Sequence, residues 1–129
     1  MVRALTDFLT AEGYRVRHEV PNMGQSADIV AERGSGLTFI EAKLANWRVA
    51  LKQCRAHHHV ADYICVAVAG KKPSPSLLAA AEQLGYGIIH FDLREWCYSW
   101  VRSPEKNLHL WPPQRQQLNQ ALDRIDYAD

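Results

Sequence analysis

Apolar residues recur first at a helical spacing and then at the period of two that is typical of strands. The apolar positions of residues 2–12 have helical spacing, and Gly13 stands where a helix C-cap glycine is common. These apolar positions are Val2, Leu5, Phe8 and Leu9. The segment YRVRHEV at 14–20 alternates polar and apolar residues, which predicts a strand, and PNMGQS at 21–26 is predicted to be a loop.

Two runs rich in strand-forming residues follow this loop. They are ADIVAER at 27–33 and LTFIEAK at 37–43. The cluster RGSG at 33–36 joins them, and its glycines favour a tight turn. The two runs are therefore predicted to pair as an antiparallel hairpin.

The middle of the chain alternates helical and strand patterns. A helix is predicted over 44–59, with an apolar face formed by Leu44, Trp47, Leu51, Cys54 and His58. The unbroken apolar run ADYICVAVA at 61–69 is typical of a strand buried on both faces. Pro75 begins a helix that Gly85 ends, and GIIHFD at 87–92 is a further strand. A hairpin followed by helical crossovers predicts an α/β fold with a mixed central sheet flanked by helices.

The last part of the chain, 92–129, is predicted to be an extension of unclear role that packs on a single domain spanning 1–129. Residues 95–111 are predicted to form a hairpin that turns at 103–107. Its alternating aromatic residues either fill a core or dimer interface or stack on unpaired bases. They are Trp96, Tyr98 and Trp100. A final helix after prolines 112–113 carries an apolar stripe that docks on the domain itself or on a partner subunit. The stripe consists of Leu118, Ala121, Leu122 and Ile125.

Composition narrows the class of protein only a little. Apolar residues make up 47% of the chain and charged residues 22%, as in ordinary globular proteins. No apolar stretch approaches the roughly 20 residues that span a bilayer, and no signal peptide is expected. Cys54, Cys65 and Cys97 are predicted to be buried reduced thiols, which indicates a cytoplasmic protein. Since no Gly-rich phosphate loop or dinucleotide fingerprint occurs, no organic cofactor is expected.

The sharpest chemical feature is Asp28, followed thirteen residues later by the tripeptide Glu41-Ala42-Lys43. Side chains two apart on a strand share a face, so Glu41 and Lys43 share one that Asp28 approaches across the hairpin. Two close carboxylates favour a divalent cation, and oxygen ligands suit Mg²⁺, or else Mn²⁺. The Ala42 carbonyl is a candidate third oxygen ligand. Lys43 is a candidate to orient or deprotonate the water that attacks a phosphodiester.

In this context the sequence resembles the restriction-endonuclease-like superfamily, the PD-(D/E)XK nucleases, and especially its small Holliday-junction-resolvase and Mrr-like members. The resemblance covers about residues 2–91 and is carried mainly by ADIVAE and LTFIEAK. It implies a restriction-endonuclease-like fold, a metal held by Asp28 and Glu41, and a catalytic Lys43. Gln53 matches a catalytic-helix glutamine that many members carry, with His57 in place of a following tyrosine.

The resemblance also implies a function and partners. We expect a Mg²⁺-dependent DNA endonuclease that acts on branched or structured DNA. A homodimer is expected because a four-way junction offers two symmetry-related cleavage points. Arg48, Lys52 and Arg55 continue with His59 as a basic stripe, which either contacts phosphates or is an ordinary exposed helix face. His57, beside Gln53, is added to the candidate nucleic-acid contacts.

Two alternatives accompany this interpretation. The histidines at 57–59 do not chelate one ion from a helix, because successive residues diverge by about 100°. His58 is instead predicted to face the core and His59 the solvent. A second functional hypothesis is a catalytically inactive nuclease fold that binds nucleic acid or protein. It is favoured by the net charge of only +1 and by the lack of an evident acid early in the first helix, where Asp7 is a loose substitute.

Overall fold

A computed structural model describes residues 2–22, 25–43 and 46–128. The described strands form one six-stranded sheet in the order β1-β2-β3-β4-β5-β6. The strands are β1 (Arg15–Asn22), β2 (Gln25–Arg33), β3 (Gly36–Lys43), β4 (Tyr63–Ala69), β5 (Gly87–Asp92) and β6 (Cys97–Arg102). The α-helices are α1 (Val2–Ala11), α2 (Trp47–Cys54), α3 (Pro75–Leu84) and α4 (Pro112–Leu122). A single 3₁₀ turn, Arg55–His57, continues α2.

The sheet is mixed, which confirms the predicted α/β class. β3, β4 and β5 are parallel to one another, and the outer pairs are antiparallel. α2 and α3 are the crossovers between the parallel strands, so each runs back along the sheet in the opposite direction to the strands it connects. This arrangement lays α2 along β3, the strand that carries Glu41 and Lys43.

The two faces of the sheet bury separate clusters of side chains. α2, α3 and α4 cover one face, where Cys54, Leu77 and Leu118 pack on strand residues that include Phe39 and Val66. α1 covers the other face. There Leu5 and Leu9 pack on strand residues that include Ile29 and Ile40. Because strand side chains alternate, the odd-numbered residues of β3 lie on the side of α2.

Three predicted segments differ from the structure. The predicted helix at 44–59 is α-helical over Trp47–Cys54 and continues as the 3₁₀ turn Arg55–His57, while Leu44 lies outside the described residues. The predicted loop at 21–26 is largely strand, since Pro21 pairs with Ser26 and Asn22 with Gln25. The predicted hairpin at 95–111 is wrong, because β6 pairs with β5 and residues 103–111 are irregular. The turn before β6 is made by Asp92, whose Oδ1 accepts hydrogen bonds from the backbone N–H groups of Arg94 and Glu95.

The C-terminal segment is tied to the rest of the sheet. Leu118 and Leu122 are buried and Ile125 packs beside them, so the apolar stripe of α4 docks on its own chain. Arg115 Nη2 lies 3.0 Å from Asp62 Oδ2, which anchors α4 near the start of β4. Among the aromatic residues of β6, Tyr98 is buried against Phe8.

Residue exposure corrects one smaller expectation and describes the aromatic residues of the last part of the chain. Cys54 and Cys65 are buried free thiols as predicted, but Cys97 is exposed. Trp96 is 69% exposed, whereas Trp100 is half-buried and its Nε1–H donates a hydrogen bond to Glu12. In the described ranges, no helix combines the length and apolar character that a membrane span requires.

Candidate functional site

Asp28 and Glu41 face each other across the hairpin of β2 and β3. The last paired residues are Ile29 and Ile40, and one further step in the same register sets Asp28 opposite Glu41. Opposite residues of an antiparallel pair have their side chains on the same face. The two-residue turn at Gly34–Ser35 sets this register, with Gly34 in the left-handed region at φ 62°. The structure therefore brings together the two carboxylates that the sequence singled out.

The Asp28 side chain has a defined backbone partner. Its Oδ2 accepts a hydrogen bond from the N–H of Ala42 at 3.0 Å. The N–H and C=O of one strand residue point to the same side, so the Ala42 carbonyl also lies on the β2 side of β3. The half-buried Asp28 thus meets the backbone of the residue that was predicted to supply a third oxygen ligand.

Glu41 is almost entirely enclosed. Its side chain is only 2% exposed, and its Oε1 lies 2.7 Å from Nε2 of His57. Burial raises the pKa of Glu41, the hydrogen bond from His57 opposes that rise, and the neighbouring charge of Asp28 adds to it. A hydrogen bond between the Asp28 and Glu41 side chains also raises the pKa of Glu41.

His57 is held on three sides. Asn22 Nδ2 donates a hydrogen bond to the carbonyl of Ala56 at 2.9 Å and lies 3.0 Å from Nδ1 of His57. Because that amide nitrogen is a donor, Nδ1 accepts from it, and the proton of the neutral ring lies on Nε2. Nε2–H then donates to Glu41. The ring also packs against Phe39, with centroids 4.8 Å apart.

This placement of His57 differs from the sequence prediction. His57, not His58, is the fully buried histidine, and His58 is half-buried with a hydrogen bond to Tyr86. His59 is exposed as predicted. The enclosed His57 ring contacts Glu41 and has no exposed surface with which to contact nucleic acid, contrary to the prediction. Sequence reasoning missed Asn22 altogether, since it fell in a segment that was predicted to be a loop.

Lys43 lies at the end of β3, on the same face as Glu41. Its side chain is half-buried. Across residues 2–22, 25–43 and 46–128, no ion pair joins Lys43 to Asp28 or Glu41. Lys43 therefore shares a strand face with Glu41, and within these ranges it is not paired to either carboxylate.

Gln53 lies one helical turn before His57. A turn of α2 covers about 6 Å, which matches about two residues of β3. Since His57 contacts Glu41 and α2 runs back along β3, Gln53 lies on the side of His57 that is towards the Lys43 end of the strand. Its Oε1 is buried and accepts no hydrogen bond from the part of the chain that the structure describes. A buried acceptor without a donor is unfavourable, and a bound water or ion is one way to satisfy it.

The basic residues of α2 lie on its outer surface. Arg48, Lys52 and Arg55 are exposed and line a groove between α2 and α3. Val49 and Leu84 contribute an apolar floor to it. A second cleft opens at the opposite ends of the strands, where Tyr63 and Lys106 lie, and it is remote from the carboxylates.

The donor set matches a hard divalent cation in part. Two adjoining carboxylates and a backbone carbonyl are the oxygen ligands that Mg²⁺ takes, usually with several waters. No cluster of three His, Cys, Asp or Glu side chains able to hold a metal occurs in the described ranges. Asp7, the loose substitute for a further acid, pairs with Arg3 at 3.6 Å on the exposed side of α1. It lies across the sheet from Glu41.

Comparison with known proteins shows a shared fold. No protein-family model matches the chain, and neither does any curated protein. Among solved structures the chain is similar to the SPO1766 protein of unknown function from Silicibacter pomeroyi, with a TM-score of 0.71 and 21% sequence identity. The likeness covers 95% of this chain and 80% of that one.

Proposed function

We propose that this protein is a metal-dependent endonuclease of the restriction-endonuclease-like kind that hydrolyses phosphodiester bonds in DNA, with branched or structured DNA as its substrate. The observation that carries the proposal is the pairing of Asp28 with Glu41 at the end of a hairpin, beside Lys43. Two adjoining carboxylates repel each other unless a proton or a cation lies between them. Lys43 lies on the same strand face, where its positive charge would attract a phosphate group of the substrate.

In this proposal Asp28, Glu41 and the Ala42 carbonyl hold Mg²⁺ or Mn²⁺. When bound, the ion stabilises negative charge on the phosphoryl oxygens during in-line displacement. Lys43 donates hydrogen bonds to the scissile phosphate or to the attacking water. These bonds align the water with the phosphorus atom for in-line attack. The buried Gln53 oxygen accepts a hydrogen bond from the same water, which satisfies an otherwise unpaired acceptor.

The exposed stripe of Arg48, Lys52 and Arg55 supplies the DNA contacts. Arg48 and Lys52 lie on α2 with Gln53, and Arg55 begins the 3₁₀ turn that ends at His57. Phosphate contacts of this kind position the backbone and carry no sequence information. The protein would therefore select its substrate by DNA shape rather than by base sequence. A homodimer would place two such sites on the two strands of a junction.

The test is a cleavage assay on labelled linear, nicked, flapped and four-way-junction DNA with Mg²⁺, Mn²⁺ or EDTA. Lys43→Ala is compared with Lys106→Ala, a matched control because Lys106 is exposed and lies in the cleft at the opposite ends of the strands. Metal-dependent cutting that Lys43→Ala lowers by about 100-fold or more, and Lys106→Ala retains, supports the proposal. A fully active Lys43→Ala would contradict it.

A second candidate function is an inactive nuclease fold that binds nucleic acid or protein. It is favoured by the internal partners of both carboxylates, since Asp28 already bonds to Ala42 and Glu41 to His57. Binding of the same DNA panel with equal affinity in EDTA and Mg²⁺, with no cutting by the wild-type protein, would favour this candidate over the nuclease.

A further inference from the structure

The link from Asn22 through His57 to Glu41 is a chain of buried side chains outside the residues that would touch substrate. Asn22 is 5% exposed, and His57 and Glu41 are 0% and 1% exposed. A buried ion pair or polar pair is a poor source of stability, and apolar residues of similar volume often do better at such positions. The arrangement therefore calls for a role besides packing.

The chemistry of the donor is informative. An Arg or Lys beside Glu41 would neutralise its charge and compete with a bound cation. The Nε2–H of His57 instead holds one Glu41 oxygen by a hydrogen bond at 2.7 Å without placing a second cation there. Asn22 fixes the tautomer that makes this possible. Its Nδ2 donates a hydrogen bond to the Ala56 carbonyl, which sets the orientation of the amide, so the same nitrogen also donates to Nδ1 of His57.

We propose that His57, set in one tautomer by Asn22, is a positioning residue that orients the Glu41 carboxylate for a divalent cation. This inference rests on the proposed function, because it assigns His57 to the metal site described there. Outer partners that orient a metal ligand typically change metal affinity by about 10- to 100-fold when they are removed.

The first experiment measures Mn²⁺ affinity by calorimetry in the absence of DNA. His57→Gln retains an N–H donor at a similar reach, whereas His57→Met fills the space without a donor. His59→Met is the matched control, since His59 is the exposed neighbour two residues on. We expect His57→Met to weaken Mn²⁺ binding by about 10- to 100-fold. We expect His57→Gln to restore most of the affinity and His59→Met to leave it unchanged.

Two results with these variants would overturn the inference and leave the nuclease proposal standing. One is wild-type affinity in His57→Met. The other is an equal loss in His57→Met and His57→Gln, which indicates that the ring acts only by packing. If the wild-type protein binds no Mn²⁺ at all, the metal site fails and the inference fails with it, an outcome that differs from the other two.

A second experiment keeps the inference testable if His57→Met fails to fold. ¹⁵N NMR of the wild-type imidazole reports which ring nitrogen carries the proton, without any metal. We expect a single Nε2–H tautomer for His57, and a mixture of tautomers with weaker Mn²⁺ binding in Asn22→Ala. A proton on Nδ1 in the wild-type protein, or unchanged binding in a folded Asn22→Ala variant, would overturn the inference.

Discussion

Asp28 Oδ2 accepts a hydrogen bond from the backbone N–H of Ala42 at 3.0 Å, just beyond Ile29 and Ile40, the last backbone pair of β2 and β3. A side-chain hydrogen bond thus replaces the backbone hydrogen bonds beyond the last pair of the two strands. The carboxylate has two functions at this position. It satisfies an N–H that would otherwise lack a partner, and it contributes charge beside Glu41.

Substitutions at Asp28 can separate these two functions. Asp28→Asn keeps an acceptor for the Ala42 N–H, so we expect little change in the free energy of unfolding. Asp28→Ala leaves that N–H unpaired and should cost about 1–3 kcal/mol. Both variants should lose metal-dependent cleavage. Urea denaturation and the cleavage assay measure the two effects, and equal destabilisation by Asn and Ala would show that the hydrogen bond has no part in stability.

Glu41→Gln should stabilise the metal-free protein at neutral pH. Because the folded-state pKa of Glu41 is raised above its ordinary value of 4.5, the folded protein retains this proton to higher pH than the unfolded chain. The protonated Glu41 therefore contributes to the free energy of unfolding fully at pH values below the ordinary pKa. This contribution is lost as the pH rises through the raised pKa of the folded state. Glutamine does not titrate, so it avoids this loss.

Thermal melts in EDTA from about pH 4 to about pH 8 measure this effect. The difference in Tm between Glu41→Gln and the wild-type protein should grow as pH rises. Addition of Mg²⁺ should then raise the Tm of the wild-type protein and not that of the variant. A variant that is less stable at every pH would contradict the expectation.

Gln53 is expected to lower the stability of the protein while contributing to its activity. Its buried Oε1 lacks a donor within the described ranges, and such an atom costs about 1–3 kcal/mol. Gln53→Met keeps the volume and removes the acceptor, so it should increase the free energy of unfolding by up to about 1 kcal/mol while lowering the cleavage rate. A destabilised Gln53→Met with normal cleavage would show that the glutamine has only a structural role.

The basic groove predicts a salt-dependent contribution to DNA affinity. Alanine at Arg48, Lys52 and Arg55 should weaken binding to all DNA substrates. It should also reduce the slope of log affinity against log salt by about 0.9 for each phosphate that the protein no longer neutralises. Lys106→Ala, at the remote cleft, is the control. If the slope of log affinity against log salt is unchanged in the triple variant, DNA binds at another surface of the molecule.

The bond between Arg115 and Asp62 predicts that α4 is needed for stability. Arg115 also donates to the carbonyl of Val60, and Asp62 accepts from the N–H of Leu37, so the pair joins three segments. Arg115→Ala should cost on the order of 2–3 kcal/mol, because it leaves a buried carboxylate without its cation. The exposed Arg124→Ala is the matched control. Equal denaturation midpoints for the two variants would contradict a stabilising role for this bond.

Local patterns along the chain were sufficient for the hairpin and its carboxylates. The glycine-rich turn at 33–36 and the alternation on either side of it define a register, and that register alone sets Asp28 opposite Glu41. The apolar run at 61–69 and the Pro75 to Gly85 helix were equally predictable, because a buried strand and a capped helix each depend on neighbouring residues. The mixed sheet followed from their order.

Contacts between distant elements could not be predicted in this way. The rotation of α2 about its axis, set by its packing on β3, decides that His57 rather than His58 meets Glu41. The extra pairing at the ends of β1 and β2 decides that Asn22 reaches His57. Periodicity determined which residues share a face of their own strand or helix. Only tertiary packing determined which side chains of other elements they meet, because that depends on how whole elements are placed against each other.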